Sequence, residues 1–144
     1  MIERPVLRYF GGKWKLAPWI ISNFPPHSVY VEPFGGGGSV LMRKDRSKSE
    51  VYNDMDSEVV NVFQVLRDSA KSLELQTLLK LTPFSREEFN LAHEPCEGSV
   101  ERARRTIVRS FMGHGADSTT RKNRSGFRAK SFGSNRDASK DWLN

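Results

Sequence analysis

Three short segments near the N-terminus contain the residue types that could together bind a cofactor. They are Tyr9-Phe10-Gly11-Gly12-Lys13, Glu32-Pro33-Phe34-Gly35-Gly36-Gly37-Gly38-Ser39 and Asn53-Asp54-Met55-Asp56. A glycine run lets the backbone touch a ligand because no Cβ holds the ligand away. Asp54 follows Gly36 by eighteen residues, close to the spacing at which nucleotide-binding folds place an acceptor for a ribose hydroxyl. The three segments therefore predict a pocket for a cofactor that contains a nucleoside.

The order of residues in the glycine run limits which cofactor fits. No Gly-Lys-Ser/Thr follows it, so it is not a phosphate loop, and it lacks the G-x-G-x-x-G order of dinucleotide sites. A cofactor with adenosine but without phosphates is therefore favoured. The run by itself is about equally compatible with a flexible turn, and only its position between a predicted strand and a predicted helix favours the binding role.

Each single side chain in these segments also has an ordinary structural explanation. Lys13, beside two glycines, is either a surface lysine or the partner of a ligand carboxylate. Tyr9 is either a core or surface aromatic or packs on the cofactor, including a cationic sulfonium group if the cofactor has one. Asn53-Asp54 after a strand is ordinary turn chemistry, whereas the spacing from the glycines favours a ribose-binding role for Asp54.

The pattern around these segments is that of the beginning of an α/β sheet. Val29-Tyr30-Val31 predicts a short buried strand that ends at the glycine run, and Glu50-Val51-Tyr52 predicts a second strand. A helix is predicted to begin at Val40 with Ser39 as its N-cap. A further helix is predicted with Ser57 as its cap, although Asp56 could also serve as a helix cap, and its apolar face consists of Val59, Val62, Phe63 and Leu66.

After Ala70 the pattern changes to helices and then to a polar, basic segment. Leucines at positions 75, 78 and 79 predict a short helix, and Ser85-Arg86-Glu87-Glu88 is a capping box. Ser99 begins another helix, whose apolar face consists of Val100, Ala103, Ile107 and Phe111. Residues 116–135 form either a long loop or a hairpin around Ser125-Gly126. We therefore divide the chain into a cofactor-binding part, residues 1–69, and a helical and basic region, residues 70–144.

The charge distribution indicates a polyanionic partner. The 144 residues carry a net charge of +6, whereas Val100 to Arg136 alone contain ten basic and two acidic residues, a net +8. The first two-thirds of the chain is therefore close to neutral. The concentration of basic residues favours nucleic acid over a merely charged surface.

Other classes of protein and site find little support in the sequence. The single cysteine, Cys96, excludes an internal disulfide and a cysteine-based zinc site and fits a reducing cytoplasm. No signal peptide and no apolar run of membrane-spanning length is present, so we expect no membrane association. The three histidines show no ligand spacing, so no metal is expected, and no catalytic residue can be assigned.

In this order, the three segments resemble those of the Dam-type DNA adenine methyltransferases, which methylate the exocyclic amino group of adenine. That family begins with aromatic-x-Gly-Gly-Lys, matched by Tyr9 to Lys13, and its Glu-Pro-Phe-x-Gly-x-Gly-Ser motif is matched by Glu32 to Ser39. Its acid after the second strand matches Asp54. Ser85 to Asn90 and, less closely, Asn123 to Arg128 are similar to its helical recognition region and its DNA-contacting hairpin.

The resemblance implies an α/β fold, a partial Rossmann-like S-adenosylmethionine-dependent methyltransferase sheet with a helical, basic DNA-recognition region. It implies S-adenosylmethionine as cofactor, in contact with Tyr9, Lys13 and Asp54, in a pocket shaped by Phe34 to Gly38. The predicted cofactor-binding residues are Tyr9, Phe10, Gly11, Gly12, Lys13, Glu32, Pro33, Phe34, Gly35, Gly36, Gly37, Gly38, Ser39, Asp54 and Met55.

The resemblance also implies double-stranded DNA as substrate, with the target adenine flipped out of the stack before methyl transfer. Phosphate contacts from the basic stretch would give salt-sensitive affinity, and one or two side chains of the hairpin would read bases. The predicted DNA-binding residues are Arg105, Arg109, Arg121, Lys122, Asn123, Arg124, Arg128 and Lys130. Base reading is assigned to positions 121, 123, 124 and 128, although a phosphate contact or a solvated charge is the simpler role for any one of them.

One motif of the family is missing. The family holds the flipped adenine with an Asp-Pro-Pro-Tyr loop, and these 144 residues contain neither Asp-Pro-Pro nor Asn-Pro-Pro. We therefore expect the N-terminal part of an adenine-specific enzyme, as in restriction-modification, that is weakly active or inactive alone and whose catalytic half a second chain could supply. Its expected location is the cytoplasm of a bacterium or phage-infected host cell. The alternatives are a non-enzymatic DNA-binding module derived from such an enzyme and, less well supported, a different Rossmann-like nucleotide binder.

Overall fold

The structure is a computed structural model that describes residues 4–114 and 126–128. Within these ranges the elements are α1 (Ala17–Ser22), β1 (Val29–Glu32), β2 (Ser49–Tyr52), α2 (Ser57–Arg67), α3 (Ser69–Leu81), α4 (Arg86–Leu91) and α5 (Ser99–Met112). The two strands pair in parallel, with Val29 opposite Ser49 and Glu32 opposite Tyr52. The predicted α/β class is therefore confirmed in the form of a small parallel sheet accompanied by helices.

The two faces of the sheet lie in different surroundings. Because side chains alternate along a strand, Tyr30, Glu32, Glu50 and Tyr52 share one face and are half-buried. The opposite face carries Val29, Val31 and Val51, which are 56%, 51% and 47% exposed. The prediction that β1 is a buried strand is therefore wrong for the described residues, because they do not cover its valine face.

The connection between β1 and β2 contains turns instead of the helix predicted to begin at Val40. Two bonds of helical type form, from the Met42 N–H to the Gly38 carbonyl and from the Lys44 N–H to the Val40 carbonyl, each 3.0 Å long. Between them, the Arg43 N–H donates to the Val40 carbonyl, three residues earlier, at 3.0 Å, so bonds of helical type do not follow one another and the helix prediction is wrong. The Leu41 N–H donates to the Glu32 carboxylate at 2.9 Å, which ties this turn segment to the end of β1.

Helices α2 to α5 pack against one another, and this helical layer contains two hydrophobic clusters. Helix α2 contacts α3 and α5, and α4 contacts α5. The larger cluster consists of Leu7, Val59, Val62, Val65, Leu75, Val100, Ala103 and Ile107. The smaller consists of Phe89, Ala92, Val108 and Met112, with Phe84 and Phe127 packed against it. The predicted apolar faces of α2 and α5 are confirmed, and helices on both sides of residue 70 share a core, while the division into parts 1–69 and 70–144 stays a prediction.

Helix caps follow the sequence signals closely. Ser85 caps α4, as predicted, by accepting the Glu88 N–H at 3.2 Å. Asp56, the alternative cap, and not Ser57, caps α2 by accepting the Glu58 N–H at 3.0 Å, and Ser57 is the first helical residue. Asp68 caps α3, which is longer than the leucine spacing indicated. These caps fix where each helix begins, and the cap at Asp56 sets where α2 starts after β2.

The segment after α5 returns toward the end of that helix. Gly113 forms an antiparallel bridge with Phe127, and the Arg128 N–H donates to the Met112 carbonyl at 2.7 Å. Apart from residues 126–128, the predicted loop or hairpin of residues 116–135 lies outside the described residues. The described part is sufficient to place the Arg128 backbone beside the C-terminus of α5.

Candidate functional site

The parallel sheet brings the glycine run and the acidic segment side by side. Glu32 and Tyr52 end their strands at the same edge. The pairing continues past the strands, since the Asn53 N–H donates to the Glu32 carbonyl at 2.9 Å and the Gly35 N–H to the Asn53 carbonyl at 2.8 Å. Residues 33–39 and 53–56 therefore leave the sheet as two neighbouring loops.

The Asp54 carboxylate joins these two loops. Its Oδ2 accepts the Gly36 N–H at 2.8 Å, and its Oδ1 accepts the Asp56 N–H at 2.9 Å. A carboxylate has about four lone-pair positions, so each oxygen keeps capacity for a further donor. The eighteen-residue spacing seen in the sequence thus corresponds to a direct contact between the acid and the glycine run.

The N-terminal segment lies against the glycine run through Tyr9. A Cβ added at Gly36 would lie 2.7 Å from Cε1 of the Tyr9 ring, and one added at Gly37 would lie 3.4 Å from the Tyr9 Cβ. The Gly12 N–H donates to the Tyr9 carbonyl at 2.9 Å, which closes a turn. Lys13 is exposed, and its Nζ donates to the Gly11 carbonyl.

A cavity of about 210 Å³ lies between the N-terminal segment and the glycine run. It is lined by Tyr9, Phe10, Gly11, Gly12, Lys13, Glu32, Phe34, Gly35, Gly36, Gly37, Ser39 and Val40. Eleven of these twelve lining residues, all but Val40, belong to the predicted cofactor set. Phe10 and Phe34 are 68% and 79% exposed, so the mouth of the cavity carries two aromatic rings largely open to solvent.

The other predicted cofactor residues lie around this cavity without lining it. Asp54 and Met55 line a neighbouring cavity of about 440 Å³ together with Ser57, Asn61, Gln64 and Arg102 among others. Met55 is 90% exposed. Gly38 lines a third cavity, of about 400 Å³, beside α2, and the Pro33 carbonyl accepts the Asn53 Nδ2 at 2.9 Å. Asp54 therefore reaches the first cavity only through the backbone of Gly36.

The tyrosines around the glycine run keep their hydroxyl protons. Burial, with the charges of Asp54 and Asp56, raises the pKa of Tyr9. Burial, with the Asp54 charge as the next cause, raises the pKa of Tyr52 as well. Both hydroxyls therefore remain protonated, and can act as hydrogen-bond donors, at neutral pH.

Tyr52 is the residue of this site that the sequence pattern missed. Its Oη donates to the Gly36 carbonyl at 2.6 Å, whereas the Gly36 N–H donates to Asp54. Gly36 is therefore bonded through its carbonyl to the last residue of β2 and through its N–H to the loop that follows β2. Glu32, which the family motif did include, accepts the hydroxyl of Tyr30 at 2.8 Å as well as the Leu41 N–H. The alternation of Tyr30, Glu32, Glu50 and Tyr52 on one sheet face is the only sequence signal for either contact.

The two predicted DNA-binding arginines of α5 are bonded within the protein. Arg105 donates to the Glu101 carboxylate at 2.7 Å and to the carbonyls of Leu91 and Glu94 at 3.0 and 2.9 Å. Arg109 is 4% exposed and donates to the Ala92 carbonyl at 2.5 Å. Arg128 is half-buried. Arg121, Lys122, Asn123, Arg124 and Lys130 lie outside the described residues, and DNA contact by all eight stays a prediction.

Residues 4–114 and 126–128 contain neither a metal-binding cluster nor a membrane-spanning helix. No group of three or more His, Cys, Asp or Glu side chains there could hold a metal ion. None of the helices in that part is both long and apolar enough to cross a bilayer.

Comparison with known proteins identifies the class. The sequence matches the D12 class N6 adenine-specific DNA methyltransferases over residues 9–134, and the chain belongs to this family. The predicted membership of the Dam-type adenine methyltransferases is thereby confirmed.

Individual relatives carry names of the same class. The chain is similar to a DNA adenine methylase of Serratia marcescens, with 27% identity over 76% of this chain and 41% of that protein. It is also similar to a type II methyltransferase of Methanocaldococcus jannaschii, with 30% identity over 62% of this chain and 36% of that one. A DNA N-6-adenine-methyltransferase of Escherichia phage P1 is 30% identical over 49% of this chain and 9% of that protein. The chain thus spans about two fifths of the Serratia protein.

Proposed function

We propose that this protein binds S-adenosylmethionine and serves adenine-specific methylation of double-stranded DNA at the exocyclic amino group. The observation that carries the proposal is the cavity in which the Tyr9–Lys13 segment faces the glycine run, with Asp54 bonded to that run from behind. Membership of the D12 class family supports the same function. When bound, S-adenosylmethionine supplies the methyl group.

The charges of the cavity suit the two ends of such a cofactor. The Lys13 ammonium is exposed at the cavity and would bind the carboxylate of the methionine moiety. Glu32 and Tyr9 line the same cavity, and a carboxylate and an aromatic ring would favour its cationic groups. Asp54 keeps acceptor capacity beside Gly36 and would take a ribose hydroxyl. The proposed fold around these residues is the beginning of a Rossmann-like methyltransferase sheet.

The cavity volume indicates that other residues complete the pocket. Pockets for ligands of this size generally enclose about 300–1,000 Å³, and the cavity between residues 9–13 and 33–40 has about 210 Å³. The neighbouring cavity that Asp54 and Met55 line is a candidate extension for the adenosine moiety. We propose that the cofactor spans both cavities around the Asp54–Gly36 contact.

We propose that the valine face of the sheet packs against the remaining part of a complete methyltransferase domain of this family. Parallel sheets are generally covered on both faces, and Val29, Val31 and Val51 are each about half exposed. The relatives extend well beyond the aligned region, since the chain spans 41% and 36% of two of them. A polypeptide carrying the Asp-Pro-Pro-Tyr loop, on this or a second chain, would bury these valines.

DNA binding is proposed for the basic region, in the cytoplasm of a bacterium or a phage-infected cell. Since Arg105 and Arg109 are bonded inside the helical layer, the proposal gives the main phosphate contacts to the basic residues between positions 121 and 130. Binding of DNA should then weaken as salt rises, because phosphate contacts release counterions. Arg124→Ala should lower the slope of log affinity against log salt by about one.

Isothermal titration calorimetry with S-adenosylmethionine tests the cofactor proposal. The chain should bind the cofactor, Asp54→Ala should abolish binding, and the control Asp45→Ala, at an exposed position in the connection between β1 and β2, should bind as the unmodified chain does. The 144 residues alone should transfer little or no labelled methyl to DNA, because they lack Asp-Pro-Pro. Salt-dependent DNA binding without any cofactor binding would instead favour a DNA-binding module without enzymatic activity.

A further inference from the structure

The peptide backbone of Gly36 is held from two directions by one short segment of the chain. The Gly36 N–H donates to the Asp54 carboxylate at 2.8 Å, and the Gly36 carbonyl accepts the Tyr52 hydroxyl at 2.6 Å. Tyr52 is the last residue of β2, and Asp54 follows it by two positions. The conformation of Gly36 is therefore tied to the end of this strand on both sides.

Tyr52 is itself held in place on three sides. Its ring packs edge-on against Phe63 of α2, with the ring centroids 5.0 Å apart and the planes at 68°. It also lies so close to Gly35 that a Cβ there would be 2.2 Å from Tyr52 Cε2. The strand register places its backbone opposite Glu32. A side chain restrained in this way can fix the position of the group that it bonds.

The group that Tyr52 bonds forms part of the cavity wall. Gly36 lines the cavity between the N-terminal segment and the glycine run, and the Tyr9 ring packs directly on it. A displacement of the Gly36 peptide would therefore move Tyr9 as well. The shape of the cavity depends on where the Tyr52 hydroxyl holds this peptide.

We propose that Tyr52 is a positioning residue for the cofactor, whose hydroxyl fixes the Gly36 peptide and with it the wall of the cavity before the cofactor arrives. This inference rests on the proposed binding of S-adenosylmethionine. Tyr52 acts through Gly36, since it does not line the cavity itself. The Tyr52 hydroxyl keeps its proton, because partial burial and the Asp54 charge raise the pKa of Tyr52, and so it remains a donor to the carbonyl.

Tyr52→Phe isolates the hydroxyl. Phenylalanine keeps the ring that packs against Gly35 and Phe63 and removes only the donor to Gly36. A neutral hydrogen bond of this kind should be worth about a five- to tenfold change in cofactor affinity if it preorganises the wall. Thr77→Val is the control, because it also removes a hydroxyl that donates to a backbone carbonyl, that of Leu73, within α3.

Two measurements on the full chain test the inference. Calorimetry should show about five- to tenfold weaker S-adenosylmethionine binding for Tyr52→Phe and unchanged binding for Thr77→Val. Hydrogen exchange without cofactor should show faster exchange of the Gly36 amide only in Tyr52→Phe, because its bond to Asp54 opens more often. A merely structural role of the hydroxyl would lower the melting temperature of Tyr52→Phe and leave the affinity unchanged.

The outcomes separate this inference from the proposed function. If the unmodified chain binds the cofactor and Tyr52→Phe binds it equally well, Tyr52 is not a positioning residue. If the unmodified chain does not bind the cofactor, the proposed function fails, and the positioning role fails with it. Hydrogen exchange would then still decide whether the hydroxyl restrains the Gly36 peptide, since it needs no cofactor.

Discussion

Replacing Gly36 by alanine perturbs the glycine run at its most restricted position. Gly36 has φ +49°, a left-handed conformation that costs an L-residue about 1–2 kcal/mol. The added Cβ would lie 2.7 Å from Tyr9 Cε1, whereas nonbonded carbon atoms prefer about 3.5–4.0 Å. The Tyr9 ring or the glycine backbone must therefore move.

The expected loss follows from these two effects together. Overpacking at a well-packed position costs about 1–3 kcal/mol, so with the backbone strain the variant should lose about 2–5 kcal/mol of stability if the run keeps its shape. If the run changes shape instead, stability is retained and the loss should appear as more than tenfold weaker cofactor binding. Urea denaturation followed by tryptophan fluorescence measures the first quantity, and calorimetry with S-adenosylmethionine measures the second.

Gly37→Ala is the matched control at the next position. Gly37 does not have a positive φ, and its added Cβ would meet the Tyr9 Cβ at 3.4 Å and the Leu7 carbonyl oxygen at 3.8 Å, which are ordinary contacts. Its stability should change by less than about 0.5 kcal/mol, which makes Gly37→Ala a control for the stability measurement. Equal losses in both variants, or no loss in Gly36→Ala, would refute the reasoning from backbone geometry.

Two further variants test the helical layer. The hydrogen bond from Arg104, with a weaker contribution from Arg105, lowers the pKa of Glu101 from 4.5 to about 2, so its ionised form stabilises the fold above about pH 4.5. Glu101→Gln should therefore be less stable than the unmodified chain in urea at pH 7, and the difference should shrink as pH falls from 4.5 toward 2; a constant difference would contradict the assignment. Ser85→Ala should cost about 1 kcal/mol by removing the cap of α4, against almost nothing for Ser69→Ala at an exposed position, as measured by chemical denaturation.

The cofactor segments could be predicted from the sequence because their signals are local. Glycines beside a strand, an acid just after the next strand and an aromatic-x-Gly-Gly-Lys segment each depend on neighbouring residues. The parallel pairing of β1 and β2, which the predicted α/β class requires, then brings Asp54 within hydrogen-bond distance of Gly36. Strand positions, the apolar faces of α2 and α5 and the cap at Ser85 were predictable for the same reason.

The contacts that the sequence did not indicate depend on tertiary placement. Tyr52 and the Gly36 carbonyl are sixteen residues apart, and only the strand register brings them together. The helix predicted from Val40 does not form, since the Arg43 N–H bonds the Val40 carbonyl and not that of Ser39. The Glu32 side chain of β1 also holds this segment through the Leu41 N–H, and local helix signals at Ser39 and Val40 cannot reveal such a contact.

Counting charges along the chain overstates the basic surface that α5 can offer. Arg102 pairs with Glu58 of α2 at 2.9 Å, and Arg104 pairs with Glu101 and with Glu88 of α4 at 2.7 and 2.9 Å. Only Glu101 lies within the basic stretch, so the two other acids were not counted with it. These pairs also tie α5 to α2 and α4.

The arginines of α5 therefore connect the helical layer as well as contributing charge, and this decides how DNA binding should respond to mutation. Neutralising Arg104 would remove a side chain that is bonded to two glutamates and to Thr82, so any loss of DNA affinity would be confounded with a loss of stability. Neutralising basic residues between positions 121 and 130 gives the cleaner comparison. If these residues contact phosphates, their neutralisation should lower the slope of log DNA affinity against log salt and leave the melting temperature unchanged. An unchanged slope would mean that the net charge of +8 in this region has no DNA-binding role.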